Sequence, residues 1–163
     1  MSNIKISYIW DKEIYLKATK IAYDYELKRS SKRFIGWIFI AMSQFGVVQA
    51  MKGGGVGLLL LSSILILYWY YFRWEIRKSI LIKNFKKSPN ANHKFNILAN
   101  EKGITIDDRL IQWSKIEEII SLRDGFLLYY DNSFLFFPLS AFKDIEKKNQ
   151  FGLLVKANIK AKD

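Results

Sequence analysis

The chain has 163 residues, a net charge of +11 and no cysteine. Without cysteine it has neither a disulfide framework nor a thiolate metal site, and its length allows one ordinary domain or a membrane hairpin with a small domain. The excess positive charge lies in residues 1–89, whereas residues 90–163 are nearly balanced. No nucleic-acid-binding motif accompanies the charge, so we expect no nucleic-acid partner.

Residues 1–33 predict a strand followed by an amphipathic helix. The stretch from Ile4 to Trp10 alternates apolar and polar residues with one exception, which is typical of a strand. A lone strand leaves its backbone groups unpaired, so we expect it to join a sheet in the C-terminal part of the chain. Asp11 has the position of a helix N-cap, and the helix after it has one apolar face. We expect this face to pack on the cytoplasmic domain, with the membrane interface as the alternative.

Residues 34–72 contain two uncharged apolar runs, 34–51 and 56–72, separated by Lys52 and three glycines. As a helix, each run of about 17 residues is about 26 Å long, close to the thickness of a bilayer core. Neither run has a polar face, which favours two transmembrane helices over a buried helical hairpin of a soluble protein. Residues 73–89 predict a cytoplasmic extension of the second helix, followed by a linker.

Basic and aromatic residues flank this hairpin on its open side. The basic residues are Lys28, Arg29, Lys32, Arg33, Arg73, Arg77 and Lys78. Under the positive-inside rule, they predict a multi-pass inner-membrane protein with both termini in the cytoplasm. The same residues are candidates for binding membrane lipids, because the anionic headgroups of the cytoplasmic leaflet attract Lys and Arg.

Three polar residues inside the apolar runs are candidates for contacts between the two helices. Gln44 lies near the middle of the first run, and Ser62 and Ser63 lie in the second. An unpaired amide is costly inside a membrane, so we expect Gln44 to hydrogen-bond to one of these serines. The alternative is an ion or substrate path, which requires a homo-oligomer because two spans are too few to enclose a pore.

Residues 90–163 predict short antiparallel strands at regular spacing, with Asp124-Gly125 as a hairpin turn. From Leu139 the pattern becomes helical and continues to Asn149 or to Ile159. The predicted fold class is therefore membrane α+β. It combines a two-helix transmembrane hairpin with a small cytoplasmic antiparallel β domain that is closed by a C-terminal helix, and the N-terminal strand and helix pack on this domain.

Short segments of this C-terminal part resemble the YcxB-like membrane protein family. They are Gly103-Ile104-Thr105-Ile106, Trp113-Ser114-Lys115-Ile116 and Phe137-Pro138-Leu139-Ser140-Ala141-Phe142. In the last segment the family tends to have a basic pair where this chain has Leu139 and Ser140. The resemblance implies a domain like a bacterial pleckstrin-homology (PH) domain, but it implies little about activity.

Catalytic chemistry is not predicted by any combination of residues in this sequence, and we expect no cofactor and no metal. His93 is the only histidine, and Asp107-Asp108 has the composition of a turn. The leading hypothesis is a non-enzymatic membrane protein whose PH-like domain binds lipid headgroups or a protein partner. The alternatives are a membrane immunity protein that neutralises an envelope-acting bacterial toxin, and an oligomeric channel or transport accessory.

Overall fold

The computed structural model describes residues 3–131 and 133–159, which form two compact units. The first unit combines the chain up to Ala22 with the chain from Lys87 onward, and the second is Tyr23–Lys86. The helices are α1 (Lys12–Arg29), α2 (Ile35–Met51), α3 (Gly57–Leu67), α4 (Arg73–Lys87) and α5 (Ile145–Ile159). The strands are β1 (Ile4–Ile9), β2 (Lys94–Asn100), β3 (Gly103–Ile106), β4 (Arg109–Gln112), β5 (Ile116–Leu122), β6 (Gly125–Tyr130) and β7 (Ser133–Pro138).

The strands of the first unit form two antiparallel sheets, in the orders β1-β2-β3-β4 and β5-β6-β7. β1 pairs with β2 along its whole length, from Ile4 opposite Ala99 to Ile9 opposite Lys94. The side chains of β1 alternate between buried and exposed, as the period of a half-buried strand requires. The predicted pairing of the N-terminal strand with the C-terminal sheet is confirmed, although the whole second unit separates the two strands in sequence.

The run of strands is divided into two sheets by a 3₁₀ turn at Trp113–Lys115. Trp113 is buried, and its indole N–H donates a hydrogen bond to the carbonyl oxygen of Asn100 at 2.9 Å. The sheets are also linked directly, because the Tyr8 hydroxyl on β1 donates to the carbonyl oxygen of Phe136 on β7 at 2.7 Å. Burial raises the pKa of this hydroxyl, so it stays protonated and can donate.

Helix α5 closes the first unit through an aromatic cluster. Phe151 is fully buried, and its ring centroid lies 5.1 Å from that of Phe126 and 5.6 Å from that of Phe142. The helix begins at Ile145, later than the predicted start at Leu139. The difference arises because Leu139–Ala141 forms a separate 3₁₀ turn after the last strand.

Helix α1 begins as the sequence predicts, with the side chain of Asp11 accepting a hydrogen bond from the backbone N–H of Ile14 at 2.8 Å. Ala18 and Ala22 are buried in a cluster with Leu127 and Phe136 of the sheet β5-β6-β7. The predicted packing of the apolar face on the β-sheet domain is therefore confirmed for the part of the helix that belongs to the first unit.

The second unit is a helical hairpin. It contains two continuous helical stretches, Ser31–Met51 and Gly57–Lys87, that are long and apolar enough to cross a membrane. Only 11% and 6% of the residues in their apolar windows are buried. Within the hairpin the two helices touch backbone to backbone, since a Cβ on Gly46 would lie 2.7 Å from the backbone nitrogen of Leu59.

Candidate functional site

The second unit contains an open cavity of about 580 Å³ that is lined by basic and aromatic side chains. It lies between the end of α1, the turn Ser31–Phe34 and the beginning of α4. The charged residues that line it are Glu26, Lys32, Arg73 and Arg77, and the aromatic residues are Tyr23, Tyr68 and Trp69. Three cations and one carboxylate give this cation–aromatic cavity a net positive lining.

Both arginines of the cavity stack on aromatic rings. The guanidinium carbon of Arg73 lies 4.0 Å from the ring centroid of Trp69 and 5.0 Å from that of Tyr23. The guanidinium carbon of Arg77 lies 4.4 Å from the same Tyr23 ring. Stacking holds the plane of a guanidinium group and leaves its edge N–H donors available to an anion. Neither arginine forms an ion pair with a carboxylate among the residues that the structure describes.

A π-helical turn at Tyr68–Phe72 joins α3 to α4 and carries part of the cavity wall. Its defining hydrogen bond runs from the backbone N–H of Arg73 to the carbonyl oxygen of Tyr68, five residues earlier. π-Turns inside α-helices occur frequently at functional sites. Trp69 lies within this turn and Arg73 follows it directly, so the irregular backbone and the cation–π contact belong to one local structure.

Four of the seven predicted basic residues do not line the cavity. Arg29 donates a hydrogen bond to the Tyr25 hydroxyl at 3.0 Å. Arg33 donates to the carbonyl oxygen of Lys28 at 3.2 Å, and Lys28 itself is exposed. Lys78 pairs with Glu75 at 3.6 Å. The structure therefore brings Lys32, Arg73 and Arg77 together and leaves the other four basic side chains outside the cavity.

The predicted hydrogen bond between Gln44 and the serines of the second helix is wrong. The hydroxyls of Ser62 and Ser63 both donate within their own helix, to the carbonyl oxygen of Leu59, at 3.0 Å and 2.7 Å. Gln44 is exposed. Serine satisfies its hydroxyl locally in this way when the carbonyl one turn earlier is within reach.

Two classes of residue that build the hairpin and its cavity were not predicted from the sequence. Gly36 and Gly46 lie at the contact between the helices, where a Cβ on Gly36 would meet the ring of Trp69 and the hydroxyl of Tyr70. Small residues at spacings of a helical turn, which allow close helix contact in membranes, are the signal that could have found them. Tyr23 was also missed. Its role becomes visible only in the structure, where its ring lies beside the guanidinium groups of Arg73 and Arg77.

An exposed polar contact of the first unit joins His93 to Asp107. His93 Nε2 lies 3.0 Å from Asp107 Oδ2, and Asp107 Oδ1 accepts the backbone N–H of Asn96 at 3.1 Å. These two hydrogen bonds, the backbone one first, lower the pKa of Asp107 below its ordinary value. No group of three or more histidine or acidic side chains that could hold a metal occurs in residues 3–131 or 133–159. The pair thus has the geometry of a contact that fixes a turn.

Comparison with protein families gave one match. Residues 100–155 match the model of the YcxB-like protein family. The matched segment extends from the end of β2 into α5, and it includes the three short segments that carry the resemblance in the sequence. Comparison with curated proteins and with solved structures gave no significant match. The resemblance to the YcxB-like family is confirmed over this segment, and the cation–aromatic cavity lies outside it.

Proposed function

We propose that this protein is a two-span inner-membrane protein, with both termini in the cytoplasm, that binds anionic phospholipid headgroups in its cation–aromatic cavity. The observation that carries the proposal is the pair of stacked arginines, which form no ion pair among the described residues, in an open cavity at the basic end of an apolar hairpin.

Insertion of the hairpin in a membrane is supported by the exposure of its apolar side chains. Trp37, Phe45 and Tyr71 are 67%, 71% and 70% exposed within the chain. The core helices of a soluble protein would bury such side chains, because exposing them to water costs about 1.5–3 kcal/mol for each large residue. A bilayer removes this cost, and helices with their backbone bonds satisfied internally are suited to it. The single basic residue of the loop, Lys52, supports a loop outside and basic helix ends inside.

The chemistry of the cavity fits a lipid phosphate. Arg73 and Arg77 present edge donors that suit the paired oxygens of a phosphodiester, and Lys32 adds a third cation. Tyr68 and Trp69 belong to a group of aromatic residues at the end of the second apolar run, where rings of this kind lie at the headgroup level of a membrane. Each basic residue near an anionic membrane surface contributes about 1 kcal/mol to the free energy of binding to that surface.

The β domain of the first unit is, in our proposal, PH-like. A four-stranded and a three-stranded antiparallel sheet, followed by a C-terminal helix that packs on them, support this fold. The hairpin unit would then be an insertion between the first and second strands. This arrangement joins the β domain to the membrane at two points of the chain, and a protein partner would bind the domain next to the bilayer.

The test measures which lipids remain bound to the full-length protein in nanodiscs made of equal parts phosphatidylcholine and phosphatidylglycerol. We expect wild-type protein to retain phosphatidylglycerol after release into detergent, as measured by native mass spectrometry. The double variant Arg73→Gln, Arg77→Gln should lose about 4 kcal/mol, or roughly 1000-fold in affinity, because each arginine contributes a charge-assisted hydrogen bond of about 2 kcal/mol to the phosphate. The matched control is Lys28→Gln, Arg33→Gln, which removes the same charge outside the cavity and should lose less, because it removes only the general attraction of basic residues to an anionic surface. Equal loss in both double variants, or no lipid preference in the wild type, would refute the headgroup site.

A further inference from the structure

Helix α2 has one stripe of residues at steps of three and four that faces α3, and its broad exposed face includes a second stripe with the same steps that passes through Gln44. The first stripe faces α3 and contains Gly36, Phe39, Ser43, Gly46 and Ala50, all of them buried or partly buried. The second stripe contains Trp37, Ala41, Gln44, Val48 and Met51, all of them exposed. Steps of three and four residues that repeat along a helix are the pattern of a seam between two helices. The second stripe therefore has a spacing that another helix can match, with Gln44 at its centre.

Gln44 lies in the middle of this exposed stripe. Its amide makes no hydrogen bond to any residue that the structure describes. An amide has two N–H donors and a carbonyl acceptor, and leaving them unpaired in hydrocarbon is unfavourable. Ala41, one turn earlier on the same stripe, is small enough to let another backbone approach closely. Lipid can cover the apolar residues of the stripe, so it is the Gln44 amide that needs a partner, and a second helix can supply one.

We propose that the occupant is a second copy of this chain, and that the protein is a parallel homodimer in which the two Gln44 amides hydrogen-bond to each other. This inference rests on the proposed membrane insertion. All copies then cross the membrane in the same direction, so the two-fold axis of a dimer is parallel to the bilayer normal and each seam residue meets its own counterpart. An amide is both donor and acceptor, so Gln44 is its own complement. A single polar residue in such a seam also fixes the register of the two helices.

The absence of native cysteine makes a direct test feasible, because any cross-link must come from an introduced residue. Val48→Cys places a thiol on the second stripe, and Gln49→Cys places one on a position that is also exposed but has no member of the stripe three or four residues away. In native membranes treated with a membrane-permeant oxidant, Val48→Cys should form a disulfide-linked species of twice the chain mass and Gln49→Cys should not. Equal cross-linking at Val48→Cys and Gln49→Cys, or none at Val48→Cys, would overturn the proposal.

A second substitution tests the amide itself in the Val48→Cys background. Gln44→Leu should reduce the cross-linked fraction, with a loss in association of about 3- to 15-fold, whereas Gln44→Asn should keep most of it. An unchanged cross-linked fraction in Gln44→Leu would contradict the role of the amide. A cross-linked species whose mass is not twice that of the chain would show that the occupant of the stripe is a different protein, and it would overturn the homodimer.

Extraction of the same membranes with alkaline carbonate separates failure of the dimer from failure of the membrane proposal. If the protein stays in the pellet and Val48→Cys does not cross-link, the dimer is refuted while the membrane proposal stands. If carbonate releases the protein, both proposals fall.

Discussion

The hydrogen bond donated by the Tyr8 hydroxyl is the contact whose removal best tests the packing of the two sheets. It is buried on β1 and donates at 2.7 Å to the carbonyl oxygen of Phe136 on β7. Tyr8→Phe keeps the ring but leaves that carbonyl without this donor. We expect the free energy of unfolding to fall by about 1–2 kcal/mol at neutral pH, because the cost is that of an unsatisfied buried acceptor.

The pH dependence gives this prediction a second, independent readout. Burial raises the pKa of Tyr8 in the folded protein, so above the ordinary tyrosine pKa of about 10 the unfolded state releases a proton that the folded state keeps. The stabilisation is therefore complete below about pH 10 and decreases as the pH rises, by about 1.4 kcal/mol per pH unit, until the folded pKa is reached. Tyr8→Phe has no such proton, so the difference between wild type and variant should shrink above about pH 10.

The assay is urea unfolding of the full chain in nonionic micelles, followed by circular dichroism at about pH 8 and about pH 11. Tyr71→Phe serves as the control, since this tyrosine is 70% exposed and lies in the other unit. A constant difference between wild type and Tyr8→Phe at both pH values would refute the reasoning, because it would mean that Tyr8 titrates alike in the folded and unfolded states.

Two further substitutions test the hairpin and the His93 contact. Gly46→Leu should destabilise the hairpin by about 1–3 kcal/mol, because its Cβ would meet the backbone of Leu59. Thermal unfolding in micelles measures this, with Gly57→Leu as the control because no atom lies within 4 Å of a Cβ there. The pKa of Asp107 is lowered in the folded protein. Its contribution to the stability of the folded state is therefore complete above the ordinary aspartate pKa of about 4, and it is lost as the pH falls through the lower pKa of the folded state. Hydrogen exchange of the Asn96 amide should therefore accelerate in acid relative to Asp107→Asn, and identical acid responses of the two proteins would contradict this.

Local signals in the sequence were sufficient for most elements of the fold. Asp11 caps α1 as predicted, a hairpin joins β5 to β6 where Asp124-Gly125 predicts it although Gly125 already belongs to β6, and α4 ends at Lys87. These features depend on neighbouring residues, through capping hydrogen bonds, turn preferences and periodicity. The same reasoning assigned β1 to the C-terminal sheet, because a strand must pair its backbone groups and no other sheet was available.

The candidate site was only partly predictable. Local charge identified Arg73 and Arg77, since the first follows directly on an apolar run and the second lies one turn later. It could not separate them from Lys28 or Arg33, because all four lie close to the ends of the hairpin in sequence. Only the folded chain brings Tyr23 beside the two arginines, across a separation that no local pattern spans.

The sequence by itself determined that residues 34–72 are an apolar hairpin, that residues 94–138 are strands, and that basic residues flank the hairpin. Only the tertiary structure decided that the strands divide into two sheets at Trp113, and which stripe of α2 faces α3. The break between the sheets depends on a contact between residues far apart in sequence, the hydrogen bond from the buried Trp113 indole to the carbonyl oxygen of Asn100. For α2 the reason is that a helix that is apolar on every side carries no pattern that distinguishes inside from outside. The shape of small residues such as Gly46 against a neighbouring backbone then makes the choice.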